Sequence, residues 1–532
     1  MLTFSASHTG GPQRLLREGL LQSAARYPDK VALVIEGTAY TYGQLLAASR
    51  RLARALFDRG MIRGDRVAVY MDNTWPCVVS IYGTLLAGGV FLMINPQTKA
   101  DKLHFILQDS GAAFLLTDGH LAAQFMKATS GLSSLKGIIA SGKLPEIDQD
   151  TLKPESFAAV LETSEPLTEP GFIIPNDLAA LIYTSGSTGN PKGVMQTHQA
   201  MVFAAWSLIE YLRLSDEDRI LLVLPLAFDY GLYQLLMAMK LGATLIVERS
   251  FTFPGRIYEI MRKQRVTVFP GVPTIFSTII AGHQKKKHCF PDVTRVTNTA
   301  ASLSSEFIPY LREIFPGALI YKMYGLTECK RVSYLEPELV EKKPASVGRP
   351  IPGTEVFLRT PEGELVAPGE QGILYVRGPH VMAGYWNRPE KTAKALQPGL
   401  LPGERILCTG DWFRQDEDGF LYFCGRRDDI IKTRGEKVSP VEVERAIQAI
   451  EGIREAAVTG VDDPHLGQAV CAFIVLQDGC ELTERKIKKI CLSRLENFMV
   501  PRDVFCLETL PKTANGKVDI KTLLAQCYGE GA

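Results

Sequence analysis

The densest concentration of phosphate-binding chemistry in the sequence is the run Tyr183-Thr184-Ser185-Gly186-Ser187-Thr188-Gly189-Asn190-Pro191-Lys192-Gly193. Its hydroxyls and its lysine can donate to phosphate oxygens. Its three glycines let backbone N–H groups turn sharply and approach a ligand. The run directly follows the apolar segment Ala179 to Thr184, which suits a buried strand. A Ser/Gly linker has a similar composition, but linkers do not usually sit at a strand end with one lysine between Pro and Gly. No G-x-x-x-x-G-K-[ST] register fits, which disfavours a P-loop kinase or GTPase.

Further blocks follow in order: Tyr324-Gly325-Leu326-Thr327-Glu328, Cys408-Thr409-Gly410-Asp411, Gly425-Arg426-Arg427-Asp428-Asp429, and Lys512-Thr513-Ala514-Asn515-Gly516-Lys517. Any one of them could be accident. As an ordered set they resemble the AMP-forming adenylate ligases, which include acyl-CoA synthetases, peptide-synthetase adenylation domains and luciferases. The resemblance runs from about Tyr42 to Lys521, nearly the whole chain.

The resemblance implies ATP and Mg²⁺, and a reaction that puts a carboxylate oxygen on the α-phosphorus of ATP and expels pyrophosphate. The protein must then offset phosphate charge and hold two anions together. By this likeness Thr184, Ser185, Gly186, Ser187, Thr188, Gly189 and Lys192 hold the β- and γ-phosphates. Thr327 is assigned to the α-phosphate, and Glu328 to Mg²⁺, a hard cation that takes oxygen ligands. Tyr324, beside Gly325, stacks on adenine. Ala300, Ala301 and Ser302 stand where the family more often has a Gly-Gly-Ala adenine loop, a departure that leaves their contacts open. Asp411 accepts both ribose hydroxyls and Arg426 donates to the ribose. Lys517 is placed over the reacting carboxylate, where its charge would neutralise the transition state. Asp428 matches the family hinge, about which a small domain rotates to present Gly435 and Lys437 for thioester formation. A glycine at 435 would let a thin pantetheine arm pass close to the backbone.

The acid pocket is expected from Phe228, Asp229, Tyr230, Tyr233, Asn298, Met323 and Arg331. Many acyl and aryl ligases carry an aromatic-His pair where this chain has Phe228-Asp229. Phe-Asp at this place resembles amino-acid adenylation domains, whose aspartate pairs with the substrate α-ammonium. The resemblance therefore implies a stand-alone ligase for an amino acid, small or cyclic, that passes the acyl group to a phosphopantetheine thiol of a separate carrier protein or of CoA. Gly271-Val272-Pro273-Thr274 has the texture of acyl-CoA ligases instead. The rival is a fatty or aryl acyl-CoA synthetase in which Asp229 pairs with Arg331. A non-catalytic nucleotide-binding protein would be expected to have lost a charged residue, yet Lys192, Glu328, Asp411 and Lys517 all remain. A luciferase-type oxygenase shares these blocks and would need an oxidisable substrate.

These residues need a scaffold, and the periodicities supply one. Apolar residues at helical spacing mark Thr41 to Phe57, and short apolar runs at Val67 to Met71 and Ala113 to Leu116 suit buried strands. From Leu178 strands and helices alternate: a helix near Gln199 to Leu212, a strand Ile220 to Pro225, a helix near Tyr233 to Leu241, a strand Thr244 to Glu248. Such alternation argues for a mainly parallel sheet with helices on its faces. Residues 140–175 are rich in Pro, Ser, Thr and acids and read as a surface connection. After residue 340 Gly/Pro turns predict an antiparallel, β-rich subdomain. A small α+β unit is expected from 428 to 532, with a helix after Ser439-Pro440, strands at Ala456 to Val461 and Cys471 to Leu476, and a helix at Glu484 to Leu495. The fold class is thus α/β: a large N-terminal domain of layered α/β subdomains plus the β-rich subdomain over 1–427, followed by a small α+β C-terminal domain over 428–532, which the resemblance implies is mobile.

Composition bounds the rest. With 532 residues the chain is about three to four times an average domain of ~150. Its formal net charge of +1 gives no global reason to bind nucleic acid or anionic membrane. The ten cysteines include no C-x-x-C, and H-E-x-x-H is absent; reduced thiols, a cytoplasmic location and no zinc site are expected. No signal peptide is evident at the N-terminus. Trp75 to Ile94 is free of charge for twenty residues, the length of a membrane span. However, Pro76 and Gly88-Gly89 make it a buried helix, a turn and the short strand Val90 to Ile94.

Overall fold

The computed structural model describes residues 12–144, 152–184, 190–299, 303, 305–426, 431–438, 440–477, 479–511 and 518–529. Two large sheets form its centre where the alternation predicts one. The first runs Arg349–Pro350, Ser333–Leu335, Leu319–Tyr324, Arg295–Asn298, Val268–Gly271, Arg219–Leu222, Thr244–Val247, Val31–Ile35 and Thr38–Thr41. The second runs Gly384–Tyr385, Lys192–Thr197, Leu178–Thr184, Val90–Ile94, Arg66–Tyr70, Phe114–Asp118, Gly137–Ser141 and Glu155–Ser156. The central pairings of both sheets are parallel. Every residue of Val90–Ile94 and of Phe114–Asp118 is buried, as strands covered on both faces require.

Local signals explain how these elements start and stop. Thr41 caps the helix Tyr42–Asp58: its Oγ1 accepts from the Gln44 N–H at 3.2 Å, and Gln44 Oε1 accepts from the Thr41 N–H at 2.8 Å. The uncharged stretch is the helix Trp75–Ala87, stopped by Gly88 at φ 83°, then the strand Val90–Ile94. No described helix is long and apolar enough to cross a membrane. Residues 140–175 are more structured than their composition suggests. The helix Phe157–Thr163 buries Phe157 and Val160, two apolar residues too few to raise a periodic signal.

The β-rich subdomain is an antiparallel sheet of Glu355–Arg359, Gln371–Arg377, Arg405–Gln415, Leu396–Pro398 and Leu421–Arg426. A fourth sheet of Glu436–Val438, Ile431–Thr433, Gly467–Leu476, Ile453–Asp463 and Asp503–Cys506 builds the C-terminal unit. Its helix Pro440–Gln448 joins a separate core through Val443 and Ile447. Among the described residues, nine cysteines are free thiols.

One helix start departs from expectation. The helix predicted near Tyr233 begins at Asp229, with Phe228 as its N-cap. Its first turn is pressed on the preceding strand's exit: a Cβ on Gly231 would collide with the Pro225 carbonyl. Gly231→Ala is therefore expected to cost about 1–3 kcal/mol through overpacking, read as an earlier melting transition. Gly255→Ala, on a helix where an added Cβ meets nothing within 4 Å, should leave the transition unmoved or raise it.

Candidate active site

The carboxyl ends of Leu178–Thr184, Arg295–Asn298 and Leu319–Tyr324 open on one cavity of about 150 Å³. Strand ends of open α/β sheets are where ligands ordinarily bind. Thr184, Phe228, Asp229, Tyr230, Gly325, Thr327, Arg331 and Gly435 of the expected set line it, together with Lys330, which carries no expectation from the sequence.

Thr184 ends its strand with a buried hydroxyl that has no hydrogen-bond partner among the described residues. Lys192 lies on the paired strand, and its Nζ donates to Tyr385 Oη at 2.8 Å and sits 3.2 Å from Glu328 Oε1. Tyr385 Oη in turn donates to Glu328 Oε1 at 2.8 Å. A cation, a phenol and a carboxylate thus form a closed triangle. The Thr327 carbonyl accepts from Gln196 Nε2 at 3.0 Å, and the Glu328 carbonyl accepts from the Met382 N–H at 2.8 Å. The Thr327-Glu328 turn is fixed from both sides.

Tyr324 and Asp411, distant in sequence, meet directly. The phenol donates to Asp411 Oδ2 at 2.6 Å, and Asp411 is only 2% exposed. Asp411 faces Arg426 in strand register, so the two residues expected at one ribose share a rung of the β-rich sheet.

The acid end is charged. Asp229 opens its helix, where the macrodipole favours a carboxylate. Lys330 Nζ lies 3.0 Å from Asp229 Oδ1, with the lysine side chain 2% exposed. The expected alternative partner, Arg331, does not take that place: its Nη1 donates to the Lys330 carbonyl at 2.9 Å, and its guanidinium carbon stands 5.0 Å from the Tyr230 ring centre. Gly325 allows this packing, because a Cβ there would collide with the Lys330 carbonyl. Asp229 Oδ2 is buried with no hydrogen-bond partner among the described residues. A buried lysine is invisible to a sequence reading; Lys330 carries no motif of its own.

Three residues expected in the pocket stand behind its wall. Met323 Sδ accepts from Tyr211 Oη at 2.9 Å, while Tyr233 and Asn298 are buried and do not line the cavity. Strand alternation turns Met323 away, and the Tyr233 ring supports Lys330 from 6.0 Å. Ser185, Gly186, Ser187, Thr188, Gly189, Ala300, Ala301, Ser302, Asp428 and Lys517 lie outside the described residues, as do the side chains of Arg426 and Lys437.

The C-terminal unit closes the cavity. Gly435 lines it at φ 81°, and a Cβ there would stand 2.9 Å from Val272 Cγ1. Lys102 of the large unit reaches across to Glu442 Oε1 at 3.1 Å and Glu496 Oε1 at 3.0 Å, and Thr98 Oγ1 donates to Glu496 Oε1 at 3.2 Å. Burial alone would lower the Lys102 pKa, but Glu496 and Glu442 outweigh it and raise it. Glu436 is pushed up to about 7 by burial and by the Glu496 carboxylate, against the pull of Lys102.

A carboxyl whose pKa is raised in the folded protein contributes stability that is lost as pH rises through the folded value. The melting temperature should therefore fall as pH rises from the ordinary carboxylate range through about 7. Glu436→Gln should flatten that fall. An unchanged slope in the Gln variant would contradict the assignment.

Comparison with known proteins agrees with this geometry. The family model described as AMP-binding enzyme matches residues 20–386, and the model described as AMP-binding enzyme C-terminal domain matches 442–517. The long-chain-fatty-acid–CoA ligase of Bacillus subtilis (strain 168) is 34% identical over 542 residues, 97% of this chain and 95% of that protein. Tyrocidine synthase 1 of Brevibacillus parabrevis is 29% identical over 94% of this chain, which spans 44% of that protein. Among solved structures, o-succinylbenzoate CoA synthetase from Bacillus subtilis bound with its product analogue OSB-NCoA superposes with a TM-score of 0.83 at 27% identity, covering 95% of this chain and 98% of that one. The same enzyme in complex with AMP gives 0.68 at 27% identity, covering 94% and 96%.

Proposed function

The chain belongs to the AMP-binding enzyme family, and from that premise we propose that it activates a small amino-bearing acid. It is an AMP-forming acid–thiol ligase, which joins a carboxylic acid to ATP as an acyl-adenylate and passes the acyl group to CoA. The proposed refinements are the amine on the acid and a carrier-protein phosphopantetheine as a second thiol acceptor.

The observation that carries the amine is Asp229 Oδ2. Lys330 occupies the other oxygen, and among the described residues Oδ2 is buried without a donor. Leaving a buried acceptor unpaired costs about 1–3 kcal/mol, and a substrate ammonium would satisfy it. Asp229, Phe228 and Tyr230 line the cavity together, so the carboxylate stands among the groups that would meet the acid. The named fatty-acid ligase at 34% identity favours an apolar chain instead. A long chain would have to extend past the Asp229–Lys330 pair.

Each cluster has a place in the chemistry. Thr184, Lys192 and the loop between them face the phosphates in this reading, and Lys192 brings a positive charge already oriented by Tyr385 and Glu328. Glu328 and the unpartnered Thr184 hydroxyl are oxygen donors of the kind Mg²⁺ takes. They would hold it, and the ion when bound neutralises phosphate charge. Asp411 and Tyr324 hold the nucleoside, and Thr327 the α-phosphate. Lys517 neutralises charge on the reacting oxygens.

Lys517 and Gly435 serve different half-reactions in this account. We place the domain division between 427 and 428, with Asp428 as the hinge. The higher TM-score with the product-analogue complex, 0.83 against 0.68 with the AMP complex, supports a thioester-forming arrangement here. Gly435 then lies beside the thiol path, and Lys102 holds the small unit down through Glu442 and Glu496.

Lys517→Ala should slow ATP–pyrophosphate exchange on the order of 10²–10³ and spare thioester formation from supplied acyl-adenylate. Gly435→Leu should do the reverse, because its side chain would meet Val272 at a left-handed φ. Normal exchange in the lysine variant would remove the assignment. For the substrate, matched amino and des-amino acids should differ in exchange by up to roughly 10⁴–10⁵, and Asp229→Ala should shrink that ratio. Equal rates for the two acids would replace the amine reading with a simple acyl-CoA synthetase.

A further inference from the structure

The acid end of the cavity carries more positive charge than Asp229 can balance. Lys330 is 3% exposed and Arg331 is 6% exposed, and both line the cavity beside Asp229. Asp229 offers one carboxylate against two cations. The remaining charged groups on the lining, Lys102, Lys432, Glu436 and Glu496, stand at the junction with the C-terminal unit. Arg331 spends one N–H on the Lys330 carbonyl, and its Nε is buried with no hydrogen-bond partner among the described residues. The Tyr230 ring, 5.0 Å away, provides a face for the guanidinium but no anion. Lys330 adopts φ 64°, a left-handed conformation that side-chain-bearing residues seldom take. Strain of that kind persists only where surrounding structure holds it, and here it sets the ammonium against Asp229 at the cavity.

A buried cation is costly unless an anion answers it. We infer that the pocket is built for an amino dicarboxylic acid, whose ammonium meets Asp229 Oδ2 and whose second carboxylate meets Lys330 and Arg331 while the first faces ATP. This inference rests on the amino-acid reading above and narrows it. Once the reacting carboxylate is turned to the phosphates, the substrate's ammonium answers Asp229 and its second carboxylate answers the paired cations beside it. An arginine fork also fits a carboxylate in two-point contact. A simple amino acid would leave the guanidinium unanswered, and a fatty chain would place methylenes against both cations.

The test is ATP–pyrophosphate exchange by the full-length protein with four classes of probe: aspartate and glutamate, their side-chain amides, their des-amino counterparts succinate and glutarate, and hexanoate as an apolar acid. One of the two amino dicarboxylates should exceed its amide by at least about 10²-fold in kcat/KM, as expected where a site's buried polar groups lose their partner. Arg331→Met should raise KM for the dicarboxylate and narrow that ratio, and Arg331→Lys should restore part of it. Equal melting temperatures of the two variants would separate this from misfolding. Lys330→Gln supplies an independent loss of cation. If the amides exchange as well as the dicarboxylates and the des-amino acids do not, the second-carboxylate inference falls and the amine reading stands. If succinate or glutarate matches its amino counterpart, the amine reading falls and, with it, the amino dicarboxylate. Exchange with hexanoate alone, or with none of these acids, overturns both.

Discussion

The acid end depends on keeping Asp229 and Lys330 together out of water. Their contact of 3.0 Å joins the first residue of one helix to a turn that follows a strand of the same sheet. A buried ion pair is weak evidence for stability, since the desolvation of both charges offsets most of their attraction. Its consequence here is positional. Gly231 lets the helix start tightly against Pro225, and Gly325 lets the Thr327-Glu328 turn pass close over the Lys330 backbone. Both glycines are therefore set by the demand that one carboxylate and one ammonium meet at a fixed place. The same turn carries Thr327 and Glu328, so the Asp229–Lys330 pair and the Lys192–Tyr385–Glu328 triangle are positioned by one piece of chain.

The rest of the site repeats that logic. Lys192 is held by Tyr385 and Glu328, Asp411 by Tyr324, and Lys102 by Glu442 and Glu496. These charges are oriented by neighbours within the protein itself. Preorganised charge is effective because no reorganisation is spent at the moment of reaction. Among the described residues, Asp229 Oδ2 and Thr184 Oγ1 are buried without a partner, and both residues line the same cavity. The C-terminal unit is held by a different device, in which one lysine faces two carboxylates while Glu436 waits near neutrality. That interface can be loosened by charge without disturbing either core.

Much of the scaffold is legible because its signals are local. The helix Tyr42–Asp58 announces itself by apolar spacing and a capping box, and Trp75–Ala87 ends where Gly88 says it should. The strand Leu178–Thr184 lies where its apolar run places it, and Thr327 lines the cavity at which that strand ends. The failures are non-local. Alternation does not say whether parallel strands form one sheet or two. The helix start at Asp229 is hidden because Phe228 caps without a side-chain bond. Met323, Tyr233 and Asn298 share the right elements with pocket residues but face behind the wall. In the rival reading Arg331 pairs with Asp229, yet Lys330 is the cation that meets it, at a residue whose left-handed φ no composition reveals.

The central claim is that an acid enters this cavity with an ammonium beside Asp229 and is activated there as its adenylate. A crystal structure of the protein with a non-hydrolysable aminoacyl-adenylate analogue tests it most directly. The account predicts the ammonium within hydrogen-bond distance of Asp229 Oδ2, with the Asp229–Lys330 contact retained. An analogue seated with its amine turned away from Asp229, or with an apolar tail crossing a broken Asp229–Lys330 pair, would contradict it.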